Sequence, residues 1–345
     1  MSDKISSLGK RWSPMKKPRR SRVSLAVSNV ICFLLCSLAQ ANAAEPLKKM
    51  RIAIPSIVID FAPLWIAREK GIFREEGIDV ELTFIQGNIR VVQALIAGEV
   101  QAGIAGSAGP ISSRAAGEDT VIVAVPMNRL DYTFASRQPV TKPSDLNGKR
   151  VGIGAVGGSD EVATRIALEQ LGVNPANVTM IQVGGSAERL AALRAGSVDA
   201  ATVGGGTFVG AGAGLHKALD LTELGVEFPF TAVFTTKKFA VANRESVLGL
   251  IRGYMRAVRF FQQNKEESIA ITARNLRNPN RELLERQWSY VKDHVFEKVP
   301  LPTEKGFKLI FDMLAPRNPK VASLRMEDVF DASFVQELSA KGFFK

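Results

Sequence analysis

Hydrophobic and polar positions alternate between two periods along this chain. Residues 51–55, 79–84 and 120–125 are short apolar or alternating runs and predict strands. Between them, residues 62–70 and 90–97 carry the helical period. Pro63 is tolerated near the start of the first helix, and Gly71 and Gly98 stop the two helices. The pattern shifts at 132–137. The two-proline loop at 138–144 is the expected exit from a first lobe. The same rhythm then resumes, with strand 149–153, helix 159–171, strand 177–183, helix 187–195 and strand 198–203. A Gly-rich turn leads into a further helix near Thr207. The apolar run 228–235 reads as the return crossing. Beyond it the pattern is helical, over 246–263, 265–274, 281–294, 303–314 and 326–341. Alternating strands and helices imply α/β architecture, with a mainly parallel sheet covered on both faces.

One passage occurs twice, 98 residues apart. Leu95, Ala97, Gly98, Val100, Ala102 and Gly106 coincide with Leu193, Ala195, Gly196, Val198, Ala200 and Gly204 without a gap. Further back, Val80, Gly87 and Ala94 pair with Val178, Gly185 and Ala192, and Asn88 faces Ser186. Each copy reads strand, Gly-plus-cap turn, helix, Ala-Gly stop, strand. Such a repeat predicts two similar lobes that present helix N-termini to the space between them.

Charge changes the picture once the first residues are set aside. Residues 1–22 carry eight Lys and Arg against one acid, Asp3. An apolar run to Ala39 follows, then Ala41-Asn42-Ala43. Basic, apolar, small is the order of a secretory signal, so residues 1–43 are expected to be removed after Ala43 and the protein to be periplasmic. The formal charge of +11 falls to +4 without them, 37 basic residues against 33 acidic. The high isoelectric point therefore gives no argument for nucleic acid. Both cysteines, Cys32 and Cys36, lie in the signal, so no disulfide, thiol nucleophile or Cys–metal site is expected. His216 and His294 are too few for a His-rich metal centre, and no nucleophile constellation stands out.

The candidate chemistry sits at turns. Gly152-Ile-Gly154-Ala-Val-Gly157 has the spacing of a dinucleotide fingerprint. The acid that should end the next strand is missing at Val183-Gly184-Gly185, so no nucleotide cofactor is expected. Five strand-to-helix turns instead place a hydroxyl or amide residue where a helix begins: Gln86-Gly87-Asn88, Gly106-Ser107, Gly157-Gly158-Ser159, Gly184-Gly185-Ser186 and Gly204-Gly205-Gly206-Thr207. Free backbone N–H groups at such starts favour an anionic or strongly polar group. Any one of these residues can be only a cap; five across two lobes favour a binding cleft. Asp60, Asp131 and Asp160 lie near the same turns. If two of them face the cleft, a cationic or hydroxyl-rich ligand is favoured over an anion. Phe61, Trp65 and Phe208 are candidates for an apolar wall, and Arg90 and Arg129 for pairing with a ligand carboxylate.

These residues resemble a known family. The segment from Ala62 (APLWIAREKGIF) to Phe73 and the run Gly77-Ile-Asp-Val-Glu-Leu82 look like the first helix and second strand of periplasmic solute-binding proteins of ABC importers. The branch is the one with nitrate, sulfonate, taurine and thiamine-pyrimidine binders. The repeated Ala-Gly-x-Val-x-Ala, the run from Ser144 to Gly152 (SDLNGKRVG) and Gly157-Gly-Ser-Asp160 also match, so the likeness spans roughly residues 50–265. It implies a two-lobed type II periplasmic-binding-protein fold with a two-strand hinge and a helical C-terminal tail. Lobe one would comprise residues 44–137 and 234–345, and lobe two residues 138–233. It further implies a monomer that binds a small-molecule solute and docks on an inner-membrane permease. Its ligand contacts would fall on Ser56, Phe61, Gln86, Gly87, Asn88, Ser107, Gly158, Ser159, Ser186 and Thr207. Two alternatives remain: a ligand-sensing partner of a membrane receptor, and an enzyme of thiamine-pyrimidine synthesis on the same fold. The enzymatic branch resembles a Cys-rich, His-dependent iron site, which a chain without mature cysteines departs from.

Overall fold

The computed structural model describes residues 46–212 and 214–345. The expected signal, residues 1–43, lies outside them. Everything below concerns the compact unit Leu47–Lys345.

Two five-stranded sheets share one strand order. The first runs β2 (Ile78–Phe84), β1 (Lys48–Ile54), β3 (Ala102–Gly106), β10 (Glu227–Thr236), β4 (Thr120–Arg129). The second runs β7 (Thr179–Gln182), β6 (Arg150–Ile153), β8 (Ala200–Gly204), β5 (Tyr132–Ser136), β9 (His216–Asp220). In the first, β1 is parallel to β2 and β3, and β10 is antiparallel to its neighbours β3 and β4. In the second, β6 is parallel to β7 and β8, and β5 is antiparallel to β8 and β9. The fourth place of each sheet is filled by a strand that has just crossed over from the other half of the chain.

The helices follow from the same repeat. They are α1 (Ala62–Glu69), α2 (Asn88–Ile96), α3 (Ala108–Ala115), α4 (Ser159–Gln170), α5 (Ser186–Ala195) and the single turn α6 (Gly205–Phe208). Helices α2 and α5 end alike. Gly98 and Gly196 take left-handed φ values of 75° and 74°, which side chains with a Cβ resist. Strands β3, β5 and β8 are buried along their whole length, as expected for strands covered on both faces. The helical tail comprises α7 (Arg244–Gln263), α8 (Lys265–Leu276), α9 (Arg281–His294), α10 (Glu304–Leu314) and α11 (Ser333–Ala340). Among the described residues, no helix is long and apolar enough to cross a membrane.

Two expectations change. The chain leaves the first sheet at Leu130-Asp131, between β4 and β5, and not at the proline loop 138–144. Residues 132–136, grouped by sequence with the first lobe, pair with β8 and β9 in the second sheet. The shift in pattern at Tyr132 was the signal, because β5 is a buried central strand and no longer alternates. The helix expected over 326–341 is also interrupted. Phe330 bridges Ile122, the Asp331 N–H donates to Ile122 O at 2.9 Å, and Asp331 Oδ1 accepts from the Ser333 N–H at 3.0 Å. Covering the edge strand β4 outweighs continuing the helix there.

Candidate ligand site between the two sheets

A cavity of about 60 Å³ is lined by both halves of the chain. Ser56, Asp60 and Phe61 come from the segment between β1 and α1, and Gly87 and Asn88 from the start of α2. Gly154, Ser186, Arg189 and Gly204 come from the loops and helix of the second sheet. Tyr132 and Phe230, on the two crossing strands, also line it and meet edge-on with ring centres 4.7 Å apart.

The hydroxyl and amide residues at the turns do not cap their own helices. Four of them reach another segment instead. Asn88 Oδ1 accepts from the Gly106 N–H at 3.0 Å, and its repeat partner Ser186 accepts through Oγ from the Gly204 N–H at 2.5 Å. Ser159 Oγ accepts from the Ala108 N–H at 3.0 Å and so joins the start of α4 to the start of α3. Ser107 Oγ donates to Pro229 O. The Gly154 N–H donates to the Asp160 carboxylate, so the amide a phosphate would need in the Gly152–Gly157 loop is already occupied.

Charge at the site is mainly acidic. Burial, with Asp131 beside it, pushes the Asp60 carboxyl well above the ordinary carboxylate range. Burial also pushes Asp131 up to about 6, against the opposing pull of the Tyr290 hydroxyl, which donates to Asp131 Oδ1 at 2.8 Å. Asp60 Oδ1, Asp131 Oδ2, Ser56 Oγ, Thr207 Oγ1 and Glu188 Oε2 are buried without a hydrogen-bond partner. Polar side chains crowd one point of the cavity wall. A methyl placed on Gly204 would stand 3.2 Å from Ser186 Oγ, 3.4 Å from Asp60 Oδ2 and 3.7 Å from Thr207 Oγ1. Arg189 faces Asp160 at 3.7 Å, both buried.

Of the residues singled out by sequence, Ser56, Phe61, Gly87, Asn88 and Ser186 line the cavity. Gln86 lines an adjoining vestibule of about 270 Å³ with Arg90, and Gly87, Gly154 and Gly184 line both spaces. Thr207 stands just behind, near Gly204. Ser107 and Ser159 are fully buried in the contacts given above, and Gly158 packs against Asp160. Trp65 is core, Phe208 packs on the smaller apolar cluster of the second sheet, and Arg129 faces Glu297 at 3.7 Å. Sequence reasoning missed Tyr132, Phe230 and Arg189. The first two lie on the crossing strands, which the pattern did flag. Arg189 stands three residues into α5, on the face of Ser186, and carried no signal of its own.

The fold is that of the two-lobed periplasmic solute-binding proteins, with the cavity at the junction of the lobes and the crossing strands. The chain belongs to the NMT1/THI5-like family, whose model matches residues 58–268. YtlA of Bacillus subtilis (strain 168), named as a binding protein, is 24% identical over 288 residues, 81% of this chain and 86% of its own length. Among solved structures, the alkanesulfonate-binding protein SsuA from Xanthomonas axonopodis pv. citri, bound to MOPS, superposes with a TM-score of 0.68 at 18% identity. That match covers 84% of this chain and 100% of SsuA. The periplasmic nitrate-binding protein NrtA from Synechocystis PCC 6803 gives 0.68 at 17% identity, over 87% and 90%. At these identities the likeness carries the fold.

Proposed function

We propose that this protein is the extracytoplasmic solute-binding component of an ABC importer. It captures a small polar solute by closing two lobes and passes it to an inner-membrane permease, without chemical turnover. The observation that carries the reading is the lining of one cavity by Asp60 and Asn88 from the first sheet's side, Ser186 and Arg189 from the second's, and Tyr132 and Phe230 from the crossings. A solute touching all three stabilises the closed population. The joints lie at Leu130-Asp131 and at residues 221–226, so the moving bodies follow sheet membership. Secretion through the basic and apolar N-terminal segment would place the protein in the periplasm as a monomer.

The test is a thermal-shift screen of the purified protein against small solutes of defined charge, paired with small-angle scattering. A solute at 100 times its Kd adds about 2.7 kcal/mol of stability. We expect one chemical class to raise the melting temperature by several degrees and to reduce the radius of gyration. Binding with conversion of the solute, or no binding by any class, overturns the reading.

A further inference from the structure

The acids around the cavity outnumber its bases. Asp60 lines it with Oδ1 buried and without a partner, and Asp131 stands nearby with Oδ2 in the same condition. A third orphaned carboxylate oxygen, Glu188 Oε2, lies beside Ser56: a methyl on Gly185 would stand 2.6 Å from it and meet Ser56 Oγ as well. Among the described residues one cation lines the cavity, Arg189, and it is engaged. Its Nε donates to Thr202 O at 2.7 Å, its Nη1 donates to Gly184 O at 2.6 Å, and Asp160 faces its charge. Ser56 lines the cavity at 6% exposure, its hydroxyl also without a partner.

Resting on the solute-binding reading, we propose that the solute is a small organic cation that presents N–H donors to Asp60. Ser56 and the rings of Tyr132 and Phe230 complete its seat, and oxyanions of the nitrate and sulfonate kind are excluded. An oxyanion in the inner cavity would face the Asp60 carboxyl, while the cation in that lining, Arg189, is committed to Asp160 and to backbone carbonyls, and Arg90 stands outside it in the vestibule. Four amides around the cavity are already filled from within: Gly106 by Asn88, Ala108 by Ser159, Gly154 by Asp160 and Gly204 by Ser186. A cation supplies the counter-charge these desolvated acids lack, and aromatic faces attract it further. Among the described residues, no three His, Cys, Asp or Glu side chains converge as a metal cage requires, which favours an organic cation. The inner volume suits a single ammonium, amidinium or guanidinium head, and the rest of the molecule extends past Gly87 and Gly154 into the vestibule.

The test compares two probe sets at about 10 mM, enough to detect millimolar dissociation constants. One set is ethylammonium, acetamidinium and methylguanidinium; the other is nitrate, sulfate and methanesulfonate. Thermal shift and calorimetry are run on the wild type, Asp60→Asn and Ser56→Ala. The expected result is stabilisation by at least one cation and by no oxyanion, with a loss of affinity of about a hundredfold in Asp60→Asn and about tenfold in Ser56→Ala. Stabilisation of the wild type by an oxyanion, or a cation response unchanged in both variants, overturns the proposal and leaves the solute-binding reading standing. If both sets are silent while the protein still retains a small molecule from cell extract, by mass spectrometry, the class alone falls. If both sets are silent and nothing is retained, both readings fall.

Discussion

Arg317 and Glu161 form an ion pair that spans the two halves of the molecule. Arg317 Nη1 lies 2.5 Å from Glu161 Oε1 and donates to Oε2 at 2.7 Å. Arg317 follows α10, which packs on β10 of the first sheet, whereas Glu161 belongs to α4 on the second. The Glu161 side chain is almost wholly buried, and Arg165 and the Gly157 N–H also serve it. Removing Arg317 therefore leaves the carboxylate partnered and loosens only the joint. Arg317 is about half exposed, so solvent weakens the pair. We expect Arg317→Ala to cost roughly 0.5–1 kcal/mol of closed-state preference, a two- to fivefold loss of solute affinity. The melting temperature of the ligand-free protein should hardly move. Titration calorimetry with scattering of the free protein checks this.

The Asp131 carboxyl has a folded pKa near 6 against 3.8 for its ordinary state. The folded form thus binds more protons than the unfolded form between these values. Its contribution makes stability fall as pH rises from about 4 to about 6 and level off above, by up to about 3 kcal/mol. Asp131→Asn still accepts from Tyr290 and should remove that slope. We expect the variant to exceed the wild type in ligand-free stability at neutral pH and to match it near pH 4, in urea titrations across the range.

The equivalence of Asn88 and Ser186 gives a paired outcome. Asn88→Ala and Ser186→Ala each orphan a strand-end amide, Gly106 or Gly204. Each should destabilise by about 1–3 kcal/mol in denaturant unfolding. Markedly unequal losses would show that the repeat no longer does the same structural work in both halves.

Gly204 isolates binding from folding. Its φ of −51° is open to any residue, so Gly204→Ala should keep the fold. The added methyl would sit among Ser186, Asp60 and Thr207. We expect unchanged circular dichroism and at least a tenfold loss of solute affinity by calorimetry.

Much of this protein is legible along the chain, because short-range rules govern it. The repeat around Gly98 and Gly196 announced two similar sheets, since a helix stop that needs positive φ is written locally as Gly. The turns at Asn88 and Ser186, both in the cavity lining, were visible for the same reason. Tertiary structure alone decided what those residues do. Asn88 could have capped α2, yet it holds Gly106, an amide brought near only by β3 passing beside β1. Ser159 read as a ligand contact and instead joins the two lobes through Ala108. The acids beside these turns were visible in the sequence, but whether they come together was not. Asp60, Asp131 and Asp160 are spread over a hundred residues of sequence, and no local rule says that two helix-start acids and one at a strand crossing will all be buried at or near the cavity that Arg189 also lines. Which strand fills the fourth place of each sheet, and so where the chain crosses, was likewise settled by burial. Tyr132–Ser136 is too apolar to stay at an edge and completes the second sheet from within.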